Sequence, residues 1–236
     1  MAEKLHLETL EAGTLELLKR LTADKQLEAF NLVGGTALAL QLGHRKSADL
    51  DLFTTGRFDT ARMAAYLEKQ YKAEIFDRND KGAFGYIGRV KVDLMREPHS
   101  LIDKPEIIEG PRMLSIRDIG AMEMYSVHDD GGRLKDFADI YKLLERNSLN
   151  TYLDYARQKY PGVDPVMLKR LLVDQPKVDL DYRVQYFGKP VEWHEIVERF
   201  REAFRNPGKV FGEVNQLKNE HRVEKTPRKR RGLRPG

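Results

Sequence analysis

The amino-acid sequence predicts an α/β protein of the α+β kind, with a small, mixed and twisted sheet flanked by helices and a helical lobe after it. Up to about residue 112, short apolar runs with the period of two that is typical of strands alternate with helical patterns. Beyond residue 113 only helical patterns remain. We therefore predict a core at 1–112, a helical domain at 113–220 and a basic, disordered tail at 221–236.

Composition supports a folded chain. The 236 residues are 41% hydrophobic and 33% charged, which is ordinary for a protein with a real core. Because cysteine is absent, disulfides, thiolate metal sites and a cysteine nucleophile are excluded, and a reducing cytoplasm is expected. The N-terminus has no apolar signal region, and no run of roughly eighteen uncharged apolar residues occurs, so we expect neither secretion nor a membrane partner.

Charge is concentrated at the C-terminal end. The whole chain carries +4, but residues 221–236 hold seven Lys or Arg and one Glu, so that the tail carries +6 and the body −2. Such a tail either contacts nucleic-acid phosphates or is a solvated, solubilising end.

The first part of the chain begins with a predicted helix over 5–22, where leucines recur with broadly helical spacing. A short apolar strand over 30–33 then runs into a Gly34-Gly35 turn. Thr36 is predicted to cap the next helix, which ends at Gly43 because glycine favours the left-handed conformation that closes helices.

The remaining elements follow from the same patterns. We predict strands over 49–53, around Ile75, and over 84–88 and 90–95, and helices over 60–71, in two segments between 116 and 146, and over 150–159, 164–173 and 193–205. The strand DLDLF alternates acidic and apolar residues. Side chains alternate between the two faces of a strand, so Asp49 and Asp51 share one face.

Two carboxylates side by side repel each other unless a cation lies between them. Oxygen ligands without nearby histidine or cysteine suit Mg²⁺ or Mn²⁺, which also bind substrate phosphates. The Gly34-Gly35-Thr36 turn complements them, because backbone N–H groups at a helix start bind anions. Asp93, on a later predicted strand, completes the metal cluster or acts as a base.

Each feature alone has an ordinary explanation: a solvent-facing strand edge, a plain turn or an exposed acid. Their common order in the chain favours one cleft. There is no Gly-x-Ser-x-Gly elbow, no Walker motif and no dinucleotide-binding Gly-x-Gly-x-x-Gly, so hydrolase, P-loop and dehydrogenase functions lose support.

The run LVGGTALALQLGHRKSADLDLF resembles the nucleotidyltransferase signature, a Gly-Gly or Gly-Ser turn followed by Asp-x-Asp. More narrowly, GGTALAL, the GHR loop, DLDLF and the later KDFADIYKLL at 135–144 resemble the AbiEii/AbiGii toxin family. The resemblance covers residues 30 to about 146. It implies a minimal nucleotidyltransferase fold, a role in bacterial toxin–antitoxin or phage-defence systems, a cognate antitoxin, and nucleotide transfer from NTP to tRNA or another acceptor.

Specific residues follow from the resemblance. It makes Gly34, Gly35 and Thr36 the phosphate turn, and Asp49, Asp51 and Asp93 the metal ligands and catalytic acids. Lys135 and Asp139 match the late motif and are assigned to catalysis. They lie four apart on a predicted helix, so a simple salt bridge explains them equally well. The loop cations Arg45 and Lys46 are assigned to the nucleotide, or are plain surface residues.

The chain departs from the family at Glu123, where members usually carry a lysine after the Ala-Met pair. Arg133, Lys135, Arg45 or Lys46 would then supply the missing charge. Two other functions stay open. One is a catalytically weakened nucleotide- or nucleic-acid-binding relative with a regulatory role, and the other is nucleotidylation of a small molecule.

Overall fold

The computed structural model describes residues 4–129, 133–174, 178–181 and 183–212. The predicted basic tail at 221–236 lies outside these residues.

The strands of the described residues form one seven-stranded mixed sheet. They are β1 (Asn31–Val33), β2 (Leu50–Thr54), β3 (Glu74–Asn79), β4 (Gly82–Ile87), β5 (Val90–Arg96), β6 (Glu106–Ile107) and β7 (Arg112–Met113). Their order across the sheet is β3-β4-β5-β2-β1-β7-β6. β2 runs parallel to β5 and β1 parallel to β7, and the other neighbours are antiparallel. The predicted α/β class is confirmed.

The α-helices of the described residues alternate with the early strands and dominate the second half of the chain. They are α1 (Ala12–Ala23), α2 (Gly34–Leu42), α3 (Thr60–Tyr71), α4 (Ile116–Asp129), α5 (Leu134–Leu143), α6 (Leu149–Lys159), α7 (Pro165–Asp174) and α8 (Trp193–Arg205). The helix predicted over 60–71 is found at those residues, and the strands expected near 75, 84–88 and 90–95 are β3, β4 and β5.

The predicted opening helix over 5–22 is partly wrong. Residues Leu7–Thr9 form a 3-10 turn that ends at Leu10, which is extended, and the α-helix begins only at Ala12. Leu5 and Leu10 are both buried, and the His6 N–H donates to the Leu40 carbonyl of α2 at 2.8 Å. The leucine spacing therefore reflects burial of an irregular segment against α2 as well as the apolar face of α1.

The sequence also missed β6 and β7, which contain two residues each. So short a strand has no measurable periodicity. β7 exists because Met113 pairs with Leu32 of the central strand β1, a contact between residues far apart in the chain.

Burial along β2 explains its register. Leu50 and Leu52 are 0% and 3% exposed, whereas Asp51 and Phe53 between them are only half-buried. Because side chains alternate with a period of two, a slip of one residue would place Asp51 in the apolar core. The apolar residues therefore fix the face on which Asp51 lies.

Helix α2 lies in the centre of the molecule and packs on β1, α4 and α5. Its side chains from Thr36 to Leu42 are all buried. The helix ends as predicted at Gly43, whose φ of +64° is left-handed, and a Cβ there would clash with the His6 ring.

The core joins the sheet to the later helices. Buried apolar residues from the sheet, from α2 and from α4–α8 form one hydrophobic cluster. The domain division at residues 112 and 113 stays a prediction. Within the described part of the chain, no helix is both long enough and apolar enough to cross a membrane.

A buried ion pair ties α6 to α4. Lys159 Nζ lies 3.0 Å from Asp118 Oδ1, and both side chains are fully buried. The Asp118 carboxylate also accepts hydrogen bonds from the N–H groups of Ile102 and Asp103 and from the Ser115 hydroxyl. One charged group therefore holds the loop that follows β5 against two helices.

We expect Lys159→Met to lower the free energy of unfolding by about 3–5 kcal/mol, since it leaves a buried carboxylate without its cation. Urea unfolding measures the change. Arg157→Met on the same helix is the control, because Arg157 and Asp154 form an exposed pair at 3.7 Å, and we expect its effect to stay within about 0.5 kcal/mol. Similar small losses for both variants would contradict the prediction.

Candidate active site

Strand pairing assembles the predicted acidic centre. Asp51 of β2 pairs with Asp93 of β5 in the parallel ladder, and it pairs with Val33 of β1 on its other side. Directly paired residues point to the same face of a sheet, so the two carboxylates and the end of β1 lie together. The Gly34-Gly35 turn therefore begins beside Asp51.

Two features favour glycine at position 34: its backbone conformation and its closeness to Asp51. Its φ is +65°, a left-handed conformation that side chains rarely adopt, and a Cβ would lie 3.1 Å from Asp51 Oδ2. The first glycine of the motif thus lets the chain turn into α2 close to the carboxylate.

Gly35 packs against a buried ion pair, and its predicted place in the phosphate turn stays a prediction. A Cβ on Gly35 would overlap the Arg45 guanidinium. This guanidinium donates to both oxygens of Asp139, from Nε to Oδ1 and from Nη2 to Oδ2, each at 2.6 Å. His44 Nε2 also lies 2.6 Å from Asp139 Oδ1. Gly35 leaves room for a buried ion pair.

The charges of this pair are mutually stabilised. Burial alone would lower the pKa of Arg45, but Asp139 more than compensates, so the pKa of Arg45 is raised. In the same way, burial opposes ionisation of Asp139, and Arg45 and His44 hold the Asp139 pKa below its usual value. Both groups are therefore charged at neutral pH.

The predicted helix cap at Thr36 is wrong, because α2 begins at Gly34 and Val33 is its N-cap residue. The helix starts within the glycine turn, and Thr36 is already in its first turn. The Thr36 hydroxyl donates to the Asp49 carbonyl oxygen and lies 2.7 Å from the Ser47 hydroxyl. Thr36 thus fixes the segment that carries Asp49.

Two lysines lie against the acidic centre. Lys91 Nζ donates to Asp93 Oδ2 at 2.6 Å, and Lys135 Nζ lies 3.7 Å from Asp49 Oδ2. Asp93 Oδ1 is buried and has no hydrogen-bond partner among the described residues. Burial, together with Asp93 and Asp49, raises the pKa of Asp51 to about 6. The centre therefore has an excess of negative charge that the lysines only partly balance.

These residues fit a divalent ion in their chemistry. Mg²⁺ binds through one or two carboxylates and completes its shell with water and phosphate oxygens, so Asp51 and the unpartnered Asp93 oxygen suffice. In the described residues, however, no three histidine or acidic side chains are arranged to hold a metal ion together. The predicted set is present, but the structure pairs Asp51 with Asp93 and leaves Asp49 beside Lys135.

The acidic centre opens into a cavity of about 440 Å³, here called the central cavity. Its polar end includes Gly34, Gly35, Thr36, Arg45, Asp49, Asp51, Lys91, Asp93, Arg133 and Lys135. Its other end includes Phe53, Met95, Glu97, Tyr125 and Tyr160. A volume of this size is typical of sites for single small ligands.

The second end is largely aromatic. Tyr125 stacks on Tyr160 with ring centroids 4.2 Å apart and planes 18° apart. Phe53 and Met95 pair with each other, two residues beyond Asp51 and Asp93 on the same sheet face. Glu97 Oε1 lies 2.5 Å from His99 Nδ1 at this end. One end therefore offers charge and the other offers ring surfaces.

Several predicted residues lie outside the central cavity. Lys46 is exposed and lines a neighbouring cavity of about 230 Å³, together with Glu11 and Arg183. Asp139 is buried with Arg45 and does not line the central cavity. The alternative of a salt bridge between Lys135 and Asp139 is wrong, since each pairs with another residue.

Sequence reasoning missed Lys91, Glu97, Tyr125 and Tyr160 as cavity residues. Lys91 precedes Asp93 by two residues on β5. Because side chains two apart on a strand lie on the same face, the sequence could have predicted that Lys91 lies beside Asp93. The two tyrosines come from α4 and the end of α6, and only the packing of these helices brings them together.

Comparison with known proteins gives one matching family and one related sequence. The family described as nucleotidyl transferase AbiEii toxin, type IV TA system, matches residues 16–164. An uncharacterised protein of Aquifex aeolicus, aq_aa25, is 25% identical over 181 residues, which cover 73% of this chain and 84% of that protein.

Two solved structures share the fold. A crystal structure from H. pylori assigned as a nucleotidyltransferase has a TM-score of 0.52 at 18% identity, covering 88% of this chain and 99% of the other. JHP933 from Helicobacter pylori has a TM-score of 0.50 at 16% identity, covering 91% of this chain and 98% of the other.

We expect Gly35→Ala to destabilise the protein by about 2–4 kcal/mol, because the new methyl group displaces the Arg45 guanidinium from buried Asp139. Chemical denaturation measures the loss. Gly13→Ala in α1 is the control, since a Cβ there meets nothing within 4 Å, and we expect that variant to be neutral or slightly stabilised. Equal stability of the two variants would refute the packing role of Gly35.

Proposed function

Because this chain belongs to the AbiEii family of nucleotidyltransferase toxins of type IV toxin–antitoxin systems, we propose that its central cavity binds a nucleoside triphosphate with Mg²⁺ or Mn²⁺ and transfers the nucleotide to an RNA acceptor such as tRNA. The observation that carries this proposal is the pairing of Asp51 with Asp93 beside the Gly34 turn. A cognate antitoxin would be its protein partner.

Asp51 and Asp93 would hold the metal, with Asp49 as a further ligand once it leaves Lys135. When bound, the ion neutralises charge on the α-phosphate and makes the acceptor hydroxyl easier to deprotonate. Asp93 Oδ1 has no partner among the described residues and would take one of two roles. It would bind the ion or, where Asp51 and Asp49 alone hold the ion, accept the proton of that hydroxyl. The acceptor oxygen then bonds to the α-phosphorus, and the bond from this phosphorus to the bridging oxygen breaks to release pyrophosphate.

The charged groups around the carboxylates suit a triphosphate. Lys91, Lys135 and Arg133 line the same end of the cavity, and the first turn of α2 begins beside Asp51. Cations and backbone N–H groups near the phosphates stabilise the charge that develops during transfer. Lys135 and Lys91 would exchange their present carboxylate partners for phosphate oxygens.

The aromatic end suits the nucleoside. Tyr125, Tyr160 and Phe53 line this end, and nucleobases stack on aromatic side chains with about 1–3 kcal/mol per base. The cavity volume of about 440 Å³ accommodates one nucleotide and not an RNA acceptor in addition. An RNA acceptor would therefore reach the α-phosphate from outside the cavity.

Label transfer tests the proposed function. Purified protein is incubated with each labelled nucleoside triphosphate, Mg²⁺ and total tRNA, and RNA-bound label is measured. We expect transfer by the unmodified chain and a loss of at least about a thousandfold in Asp51→Asn and in the Asp49→Ala, Asp51→Ala double variant. Asp154→Asn, which changes an exposed acid on α6, should keep full activity.

Absence of label in RNA with all four nucleotides would overturn the proposed transfer to RNA. If the triphosphate still bound tightly, that result would favour the binding or regulatory relative. Label found instead on an added small hydroxylated acceptor would favour nucleotidylation of small molecules.

We expect Lys135→Met to weaken triphosphate binding by about tenfold, since it removes a cation from the polar end of the central cavity. Isothermal titration calorimetry measures the dissociation constant. Lys46→Met is the matched control, because Lys46 is exposed and lines the neighbouring cavity, and its effect should stay below about twofold. If Lys46→Met weakened binding more than Lys135→Met, Lys46 and not Lys135 would be the nucleotide-binding residue.

A further inference from the structure

A buried carboxyl group lines the central cavity and has no partner among the described residues. Glu123 of α4 is 6% exposed and lines the cavity. Among the described residues it takes part in no ion pair, and the Ser126 hydroxyl binds its backbone carbonyl rather than its side chain. A buried polar group without a partner carries a free-energy cost, so a bound ligand that pairs with it gains affinity.

The cations near Glu123 are already committed to other acids. Arg45 donates two hydrogen bonds to Asp139. Arg133 donates to Asp136 from Nε and from Nη2, each at 3.1 Å. The cluster therefore has three carboxyl groups, those of Glu123, Asp136 and Asp139, but only two guanidinium groups. Neither guanidinium group donates a hydrogen bond to Glu123.

The ligand class follows from the rest of the cavity. The carboxyl groups that line the cavity outnumber its basic side chains, so an anionic ligand would enter together with a divalent cation. Lys91, Lys135 and Arg133 would then pair with the anion, whereas an ionised Glu123 would repel it. A neutral carboxyl group would attract the anion, because its O–H donates a hydrogen bond to an anionic oxygen. Charge-assisted hydrogen bonds of this kind are among the strongest in proteins.

We propose that Glu123 binds the substrate triphosphate as a neutral carboxylic acid, donating its O–H to a phosphate oxygen. This inference rests on the proposed nucleotide site and adds a residue and a protonation state to it. In this form Glu123 adds an uncharged hydrogen-bond donor to the lining of the cavity.

The electrostatics of the cluster agree with this protonation state. Burial raises the pKa of Glu123 well above its usual value, and Asp139 and Asp136 on α5 raise it further, while Arg45 and Arg133 oppose them only in part. Because the binding form is the protonated one, affinity should be complete below the raised pKa of Glu123 and should fall as the pH rises through it.

Binding of inorganic tripolyphosphate tests the proposal, because this probe has no base whose identity matters. Dissociation constants are measured calorimetrically in Mg²⁺ between pH 5.5 and 9.5 for the unmodified protein, Glu123→Gln and Glu123→Ala. Glutamine is a neutral donor of nearly the same shape at every pH. The dissociation constant of the unmodified protein is divided by that of Glu123→Gln at each pH. Because the probe and Asp51 titrate in both proteins, their effects cancel in this ratio.

We expect the two proteins to bind equally at low pH, and the ratio to rise by up to about tenfold per pH unit above the pKa of Glu123. Glu123→Ala should bind about tenfold more weakly than Glu123→Gln throughout. The proposal is overturned if Glu123→Gln binds as weakly as Glu123→Ala, or if the ratio stays constant or falls with pH. Thermal unfolding of each variant confirms that it is folded.

The outcome is independent of the transfer assay. Label transfer with a constant ratio would overturn the role of Glu123 and leave the proposed function intact. Binding with the expected ratio but without transfer would retain Glu123 as a phosphate donor and overturn the enzymatic function.

Discussion

The buried pair of Arg45 and Asp139 is the interaction on which the rest of the site depends. Arg45 lies in the loop between α2 and β2, and Asp139 lies in α5, so the pair joins the sheet to the later helices. Breaking a buried pair costs about 3–5 kcal/mol, because one charge is then left without compensation. Its geometry requires Gly35, and it positions α5 so that Lys135, one turn before Asp139, reaches Asp49.

The same pair determines the electrostatics of the cavity. Asp139 binds Arg45 and Asp136 binds Arg133, so the cations closest to Glu123 are directed towards other carboxylates. The lysines that remain, Lys91 and Lys135, lie against Asp93 and Asp49. Each of these lysines therefore lies against an acid of the centre, and a cation bound to those acids would weaken their attraction for the two lysines.

The sequence was sufficient for features that depend on local chemistry. The strand, glycine turn and short helix at 30–43, the Asp-x-Asp strand, and helix α3 follow from apolar periodicity, glycine conformation and turn residues. These features also identified Asp51 and Asp93 as neighbours in one cleft, and the register of β2 and β5 places them side by side. Their catalytic roles stay predictions.

Features set by tertiary contacts could not be predicted. Gly35 and Thr36 both belong to the recognised turn, yet one makes room for a guanidinium and the other binds the Asp49 carbonyl, and both partners are at least ten residues away. Asp139 was assigned to catalysis from its motif, which did not reveal that it is buried against Arg45 and His44. Its catalytic role stays a prediction. Strand β7 and the Tyr125–Tyr160 stack likewise depend on contacts between residues that are far apart in the sequence.

Glu123 is the acid of this cluster that has no cation as a partner among the described residues. Asp139 pairs with Arg45, and Asp136 pairs with Arg133. With glutamate, the cluster has one acid more than it has guanidinium groups, and low dielectric surroundings favour the uncharged form of the acid that has no partner. In its neutral form Glu123 adds no negative charge to the cavity, and its O–H group can donate a hydrogen bond. The basic side chains that line the cavity, Lys91, Lys135 and Arg133, are then opposed by one negative charge fewer than the number of carboxyl groups suggests.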